Sequence, residues 1–151
     1  WSGHLRSRAA LRQSAKRYFV DPSLALAALN GTPERLAGDM ETLGFLFENL
    51  VVRDIAVYAG ALRASLSHYR DAHGREVDLV VTGPDGSMLG IEIKLGTTQL
   101  DLAARNLLAF RERLADEHQR RATQLVVVTS GGASYRRPDG VAVVSIRNLG
   151  P

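Results

Sequence analysis

The sequence predicts one mixed α/β domain, and three features of the chain support this class. Apolar residues recur at helical spacing in two long segments, 41–58 and the segment that begins at Thr98. Between these segments lie three strand-like runs that are joined by short turn-forming sequences, which is typical of an antiparallel meander. A β-branched run at 124–129 follows the second helix, as expected for a strand buried on both faces. We therefore expect a sandwich with a mixed sheet that is flanked by helices.

Composition excludes several other classes of protein. The chain has 151 residues, of which 45% are hydrophobic and 23% are charged, so we expect a single globular domain over 1–151. The absence of cysteine excludes disulfides, thiol nucleophiles and Cys-ligated zinc. No apolar run approaches the roughly 20 residues of a membrane span. We expect a cytoplasmic protein without a membrane partner.

Residues 1–40 form the part of the domain with the weakest pattern, and we expect a basic amino-terminal arm and a short helix there. The arm is rich in arginine, with no acidic residue before Asp21, and the formal net charge of the whole chain is +3. Two further basic groups lie at 120–121 and 136–137. These groups contact nucleic acid phosphates or are simply a solvated surface. Because residue 1 is Trp, we also expect the chain to be a fragment of a longer parent.

The predicted elements follow from periodicity and from helix and turn signals. Asp21-Pro22 ends one short strand and begins a helix, and Gly60 is a plausible end of the first long helix. Residues 32–39 are expected to form a polar connection. The predicted elements are a strand at 17–20, helices at 23–29 and 41–58, strands at 66–70, 76–82 and 87–95, a helix from 98, and strands at 124–129 and 141–146, the last at the sheet edge.

The strand pattern Ile91-Glu92-Ile93-Lys94 carries the clearest chemical signal. Side chains alternate along a strand, so Glu92 and Lys94 share one face. If the hairpin turn is Pro84-Asp85-Gly86, the register places Asp78 of the preceding strand directly opposite Glu92, on the same face. Two carboxylates so close repel each other unless a proton or cation lies between them. Mg²⁺, which prefers carboxylate oxygens, is the natural occupant.

Glu48 of the first long helix is a third candidate acid. The residues three and four positions away on the helix are Gly44, Phe45, Val51 and Val52, and none of them can pair with a carboxylate. A charged group among apolar neighbours is costly without a partner. Glu48 therefore reaches solvent, pairs with a basic side chain such as Arg53, or faces the sheet and joins Asp78 and Glu92.

Together these residues resemble the PD-(D/E)xK nuclease superfamily, whose core has the order α-β-β-β-α-β and a restriction-endonuclease-like fold. The matching residues are Glu48, Asp78 and Glu92-Ile93-Lys94. More narrowly, the chain resembles the carboxy-terminal domain of a family of prokaryotic AAA-type ATPases over residues 16–147. The segments that carry this second resemblance are Tyr18-Phe19-Val20-Asp21-Pro22, Phe45 to Val51, and Tyr69 to Lys94.

The resemblance implies a role for each residue of the motif. Asp78, Glu92 and the main-chain carbonyl of Ile93 would bind Mg²⁺ or Mn²⁺, with Glu48 as an accessory acid or second-metal ligand. Lys94 would orient or deprotonate the attacking water, and beside a cation its pKa could be lowered. Val77 stands where the motif has proline. Gln99 is a weaker candidate for a substrate contact. Tyr69 and Arg70, which lie near the site in sequence, are either a core or edge pair or further substrate contacts.

We therefore expect metal-dependent phosphodiester hydrolysis on DNA by a domain attached to an ATPase. No ATPase P-loop motif occurs in this sequence, so the ATPase domain of the parent is absent from this chain. The alternative is a non-catalytic domain that binds nucleic acid or a partner and regulates the ATPase. A remoter possibility is an RNA-processing nuclease. The sequence leaves the oligomeric state open.

Overall fold

The computed structural model describes residues 16–71 and 74–150, and within these ranges a six-stranded mixed sheet is flanked by helices. A short 3₁₀ turn at Ile146–Asn148 ends the last strand. The helices are α1 (Pro22–Ala28), α2 (Pro33–Ala37), α3 (Met40–Ala61), α4 (Leu100–Glu112) and α5 (Glu117–Ala122), and the strands are β1 (Ser65–Arg70), β2 (Glu76–Thr82), β3 (Met88–Lys94), β4 (Thr123–Thr129), β5 (Tyr135–Arg136) and β6 (Ala142–Ser145).

The strands lie in the order β1-β2-β3-β4-β6-β5. Strands β1 to β3 form the predicted antiparallel meander. Strand β4 returns parallel to β3 after the α4–α5 connection, as a crossover requires. Strand β6 is also parallel to β4, while β5 pairs antiparallel with β6. The sheet is therefore mixed. Strands β2 and β3, which carry Asp78, Glu92 and Lys94, are the second and third strands in this order.

Each face of the sheet packs against one long helix. The α3-side core includes Val51 and Ile55 of the helix, which pack with Leu79 and Ile91 of the sheet. The α4-side core includes Leu107 and Phe110 with Val127 and Val143. Within β3, Gly90 allows α4 to approach closely, because a Cβ there would lie 3.3 Å from side-chain atoms of both Leu125 and Phe110.

Side-chain caps fix the first residues of α1 and α3. Asp21 accepts a hydrogen bond from the backbone N–H of Ser23 and so caps α1, whose first residue is the predicted Pro22. Asp39 caps α3 in the same way by accepting from Thr42 N–H at 3.0 Å. Helix α3 continues through Gly60, and Arg63 adopts the left-handed conformation (φ 54°) that ends it. The predicted stop at Gly60 is therefore early.

Three other details differ from the sequence-based expectation. Residues 17–20 form no strand, because Asn49 binds both the N–H and the carbonyl of Phe19. Residues 33–37 form a short helix within the predicted polar connection, and residues 117–122 form a short helix that the sequence analysis did not predict. Strand β6 is not an edge strand, because Tyr135 and Arg136 pair along its outer side.

The predicted basic arm falls mainly outside the described residues. Of the segment 1–40, the structure describes residues 16–40, which comprise an extended stretch, α1 and α2. Over 16–71 and 74–150, no helix is both long and apolar enough to cross a membrane.

Candidate active site

A β-bulge places Asp78 at the centre of the candidate site. Tyr69 of β1 lies opposite Val77, but Ser67 lies opposite Val80, so two β2 residues, Asp78 and Leu79, face one residue of β1. On the other side, β2 and β3 follow the predicted register from Leu79–Ile91 to Thr82–Met88. The regular pairing thus stops just before Asp78.

Beyond the Leu79–Ile91 pair, the side chain of Asp78, and not a backbone carbonyl of β2, accepts the hydrogen bond from β3. Its Oδ2 accepts a hydrogen bond of 2.9 Å from the backbone N–H of Ile93. Asp78 and Glu92 come at the next position of the predicted register, just beyond its last regular pair, and this side-chain contact joins the two strands there. Asp78 is only 8% exposed, and its two oxygens also contact the ammonium groups of Lys16 and Lys94.

Glu92 and Lys94 share the face of β3 that packs against α4, as their alternation predicted. Glu92 is 2% exposed, and its Oε2 lies 2.7 Å from Lys94 Nζ. Asn106 of α4 acts on the Glu92 side chain and lowers its pKa. Lys94 Nζ lies 3.4 Å from Asp78 Oδ2, so one ammonium group contacts both strand carboxylates.

Glu48 approaches the same cluster from α3. Its Oε1 accepts a hydrogen bond of 2.7 Å from the Tyr18 hydroxyl and lies 3.2 Å from Lys16 Nζ. The same Lys16 ammonium lies 3.3 Å from Asp78 Oδ1. Arg53, a partner proposed from the sequence, pairs with Asp21 and Asp54. Glu48 therefore joins Asp78 through Lys16.

Burial and neighbouring charges shift the pKa values of Glu92 and Lys94. Burial, assisted by the charge of Asp78, raises the pKa of Glu92 to about 7, while Lys94 and Asn106 oppose the shift. Burial acts to lower the pKa of Lys94, but the charges of Asp78 and Glu92 outweigh it, and the net result is a raised pKa. Beside these two carboxylates Lys94 is therefore an ammonium group. The lowered pKa that we expect for it beside a bound cation stays a prediction.

The raised pKa of Glu92 predicts a pH-dependent loss of stability. Below pH 4.5, the ordinary pKa of a glutamate, Glu92 is protonated in both the folded and the unfolded state and does not reduce the free energy of unfolding. As the pH rises toward about 7, the unfolded state releases this proton first, so stability falls. Glu92→Gln should remove this loss, which is on the order of 3 to 4 kcal/mol at 1.4 kcal/mol per pKa unit. Urea denaturation from pH 4 to 8 in a chelating buffer measures it.

The exposed Glu112, at the end of α4, provides the matched control. Glu112→Gln should leave the pH profile of stability parallel to that of the wild type. If the pH profile of stability of Glu92→Gln is also parallel to that of the wild type, burial does not raise the pKa of Glu92.

The donor set at the cluster suits a hard divalent cation. Asp78, Glu92 and Glu48 offer carboxylate oxygens, and Ile93 adds the carbonyl that the resemblance implies. In the described arrangement, however, the ammonium groups of Lys16 and Lys94 lie between the acids, and no group of three or more acidic or histidine side chains in 16–71 and 74–150 is spaced to hold a metal. Mg²⁺ could bind these acids only if an ammonium group moved away from them.

Tyr69 and Arg70, two of the three weaker candidates for substrate contacts, have other partners in the structure. Tyr69 packs into the α4-side core, with its ring centroid 4.9 Å from that of Phe110. Arg70 pairs with Glu76 at 3.1 Å. Gln99 is exposed at the start of α4 and makes no side-chain capping hydrogen bond. A role at a substrate stays a prediction for all three side chains.

The two described basic groups are partly neutralised by neighbouring acids. Arg121 pairs with Glu117, and Arg137 pairs with Asp101 and Asp139. These contacts favour the solvated-surface interpretation of both groups.

Sequence reasoning missed Lys16, Tyr18, Asn49 and Asn106. Asn49 is 6% exposed and holds Phe19 by both backbone groups, at 2.7 and 3.0 Å, so it fixes the segment that carries Lys16 and Tyr18. A polar residue directly after Glu48, in an otherwise apolar helix segment, is a signal that could have indicated this contact.

A comparison with models of protein families identifies the family of the chain. The model for a domain of unknown function, DUF4143, matches residues 43–149. The chain belongs to the DUF4143 family. Searches of curated proteins and of solved structures gave no significant match. Glu48, Asp78, Glu92 and Lys94 all lie inside the DUF4143 match, whereas Lys16 precedes it.

Proposed function

We propose that this DUF4143 domain is a nuclease-like hydrolase that cleaves phosphodiester bonds in DNA with Mg²⁺ or Mn²⁺. The observation that carries the proposal is the convergence of two buried carboxylates, Asp78 and Glu92, on the Lys94 ammonium group. Burying like charges together is costly and is typical of functional sites. The helix, three-strand, helix, strand order supports the resemblance to the PD-(D/E)xK core.

Each residue has a distinct task in the proposed reaction. Asp78, Glu92 and the Ile93 carbonyl would hold the metal, and Glu48 would assist from α3. When bound, the metal would offset charge on the phosphate and lower the pKa of a water molecule. Lys94, a stable ammonium group, would donate hydrogen bonds to the attacking water or the phosphate, and would thus orient one and offset charge on the other. Its pairing with Glu92 fixes its position.

The family context supports a place next to an ATPase. DUF4143 domains are typically found with AAA ATPases. We include in the proposal that this domain works attached to such a domain in its parent protein.

A non-catalytic function is the second candidate, and one observation favours it. Lys16 and Lys94 already neutralise the acids, and in the described residues every buried side-chain nitrogen or oxygen has a hydrogen-bond partner. Such a domain would bind DNA or a protein partner and regulate the ATPase without cleaving anything.

Cleavage assays separate the two candidates. We expect the full chain to nick supercoiled DNA or to degrade single-stranded DNA in Mg²⁺ or Mn²⁺, and to lose this activity in EDTA. An RNA strand of the same sequence, added as competitor and as substrate, tests the RNA alternative. Metal binding without cleavage of any of these substrates would contradict the hydrolase and favour the regulatory domain.

A further inference from the structure

The distribution of lysine in the chain is unusual. Lys16 and Lys94 are the only two lysines among 19 basic residues, and all the others are arginines. Both lysine ammonium groups contact the same carboxylate, that of Asp78. An ammonium group is a compact point charge, whereas the arginine guanidinium is a wide planar fork. The chain therefore has its compact cations at the carboxylates proposed to bind metal.

Lys16 reaches this position on a segment that is fixed to α3. Asn49 binds the N–H and the carbonyl of Phe19, at 2.7 and 3.0 Å, and the Tyr18 hydroxyl donates to Glu48 at 2.7 Å. The chain directly after Lys16 is thus held by side chains of α3. The contacts of Lys16 with Glu48 and Asp78, at 3.2 and 3.3 Å, bridge helix and sheet.

A cavity beside the cluster gives the Lys16 side chain room to move. It has a volume of about 530 Å³, and Lys16, Glu48 and Asp78 all line it. Phe45 and Leu46 contribute apolar wall, against which the methylene stem of a lysine can pack. Lys16 can therefore leave the carboxylates while its backbone stays in place.

We propose that Lys16 is a built-in cation that occupies the Glu48 side of the acid cluster and competes with a divalent metal ion for Glu48 and Asp78. The inference rests on the proposed function, because it assigns a regulator to the same metal site. Metal binding displaces the Lys16 ammonium into the cavity, whereas Lys94 keeps its 2.7 Å contact with Glu92. Lys16 thereby sets how much metal the site requires.

Metal titration tests the competition. Lys16→Gln keeps a polar side chain of similar length but removes the charge, so the full chain should bind Mn²⁺ at least tenfold more tightly in isothermal titration, equivalent to about 1.4 kcal/mol. The neighbouring Arg17 is exposed, and Arg17→Gln removes the same charge from the same segment. This control should leave the Mn²⁺ affinity within about twofold of the wild type.

A second measurement needs no variant and therefore does not depend on whether Lys16→Gln folds. The unmodified chain is treated briefly with acetic anhydride, with and without Mg²⁺, and acetylation at its two lysines is quantified by mass spectrometry. Mg²⁺ should increase acetylation of Lys16 severalfold and leave that of Lys94 unchanged. The contrast between the two lysines is the internal control.

The outcomes distinguish this inference from the proposed function. Wild-type binding of Mn²⁺ that Lys16→Gln does not strengthen, or Lys16 acetylation that Mg²⁺ does not change, overturns the role of Lys16 and leaves the metal site standing. Absence of Mn²⁺ binding in both the wild type and Lys16→Gln overturns the metal site and, with it, this inference.

Discussion

Asp78→Asn should lower the affinity of the chain for Mn²⁺ by at least about 100-fold, which corresponds to roughly 2.7 kcal/mol. Asp78 contacts three groups of the cluster: the ammonium groups of Lys16 and Lys94 and the backbone N–H of Ile93. Asparagine retains an oxygen that can accept from Ile93 N–H, so the fold is expected to survive. What is lost is the negative charge that a divalent cation requires.

Isothermal titration measures this loss, and Asp85→Asn is the matched control. Asp85 lies in the turn of the same β2–β3 hairpin, where it is exposed and accepts hydrogen bonds from Ser87. Removing its charge should leave Mn²⁺ affinity unchanged. Equal affinities of wild type, Asp78→Asn and Asp85→Asn would place any metal site elsewhere on the chain.

Lys94→Ala should reduce the rate of DNA cleavage by about 10² to 10⁴-fold, the usual contribution of a group that positions or transfers a proton. Mn²⁺ affinity should not fall, because the variant removes a positive charge from beside Asp78 and Glu92. Single-turnover cleavage at saturating metal measures the chemical step without the binding step.

A neutralised arginine on α4 is the control for Lys94→Ala. Arg105 is exposed on that helix, so Arg105→Ala changes the net charge equally without reaching the cluster. It should leave the cleavage rate nearly unchanged. A Lys94→Ala protein that cleaves DNA at the wild-type rate would remove Lys94 from the mechanism.

The central fold could be predicted because its signals are local. Strand β2 has the predicted bounds, 76–82, and the hairpin to β3 has the predicted register, since turn residues and alternation fix both. The edge strand β5 could not be predicted from the sequence, because it is only two exposed residues long and forms through pairing with β6. The short helices at 33–37 and 117–122 give too little periodicity to recognise.

The site could be predicted only in part, for a similar reason. Asp78, Glu92 and Lys94 lie on neighbouring strands, so alternation and one turn place them together. The bulge at Asp78 has no sequence signal and depends on how β1 pairs. Lys16 lies 32 residues from Glu48 and 62 from Asp78, and no local rule connects such positions. The contacts of Lys16 with Glu48 and Asp78 form only when the whole domain folds.

Anomalous diffraction from a crystal soaked in Mn²⁺ tests the central claim most directly. The account predicts a peak within about 2.2 Å of carboxylate oxygens of Asp78 and Glu92. The Lys16 ammonium should then have moved from its 3.3 Å contact with Asp78. A crystal at saturating Mn²⁺ with no peak at these carboxylates, and with both lysines still on Asp78, would contradict it.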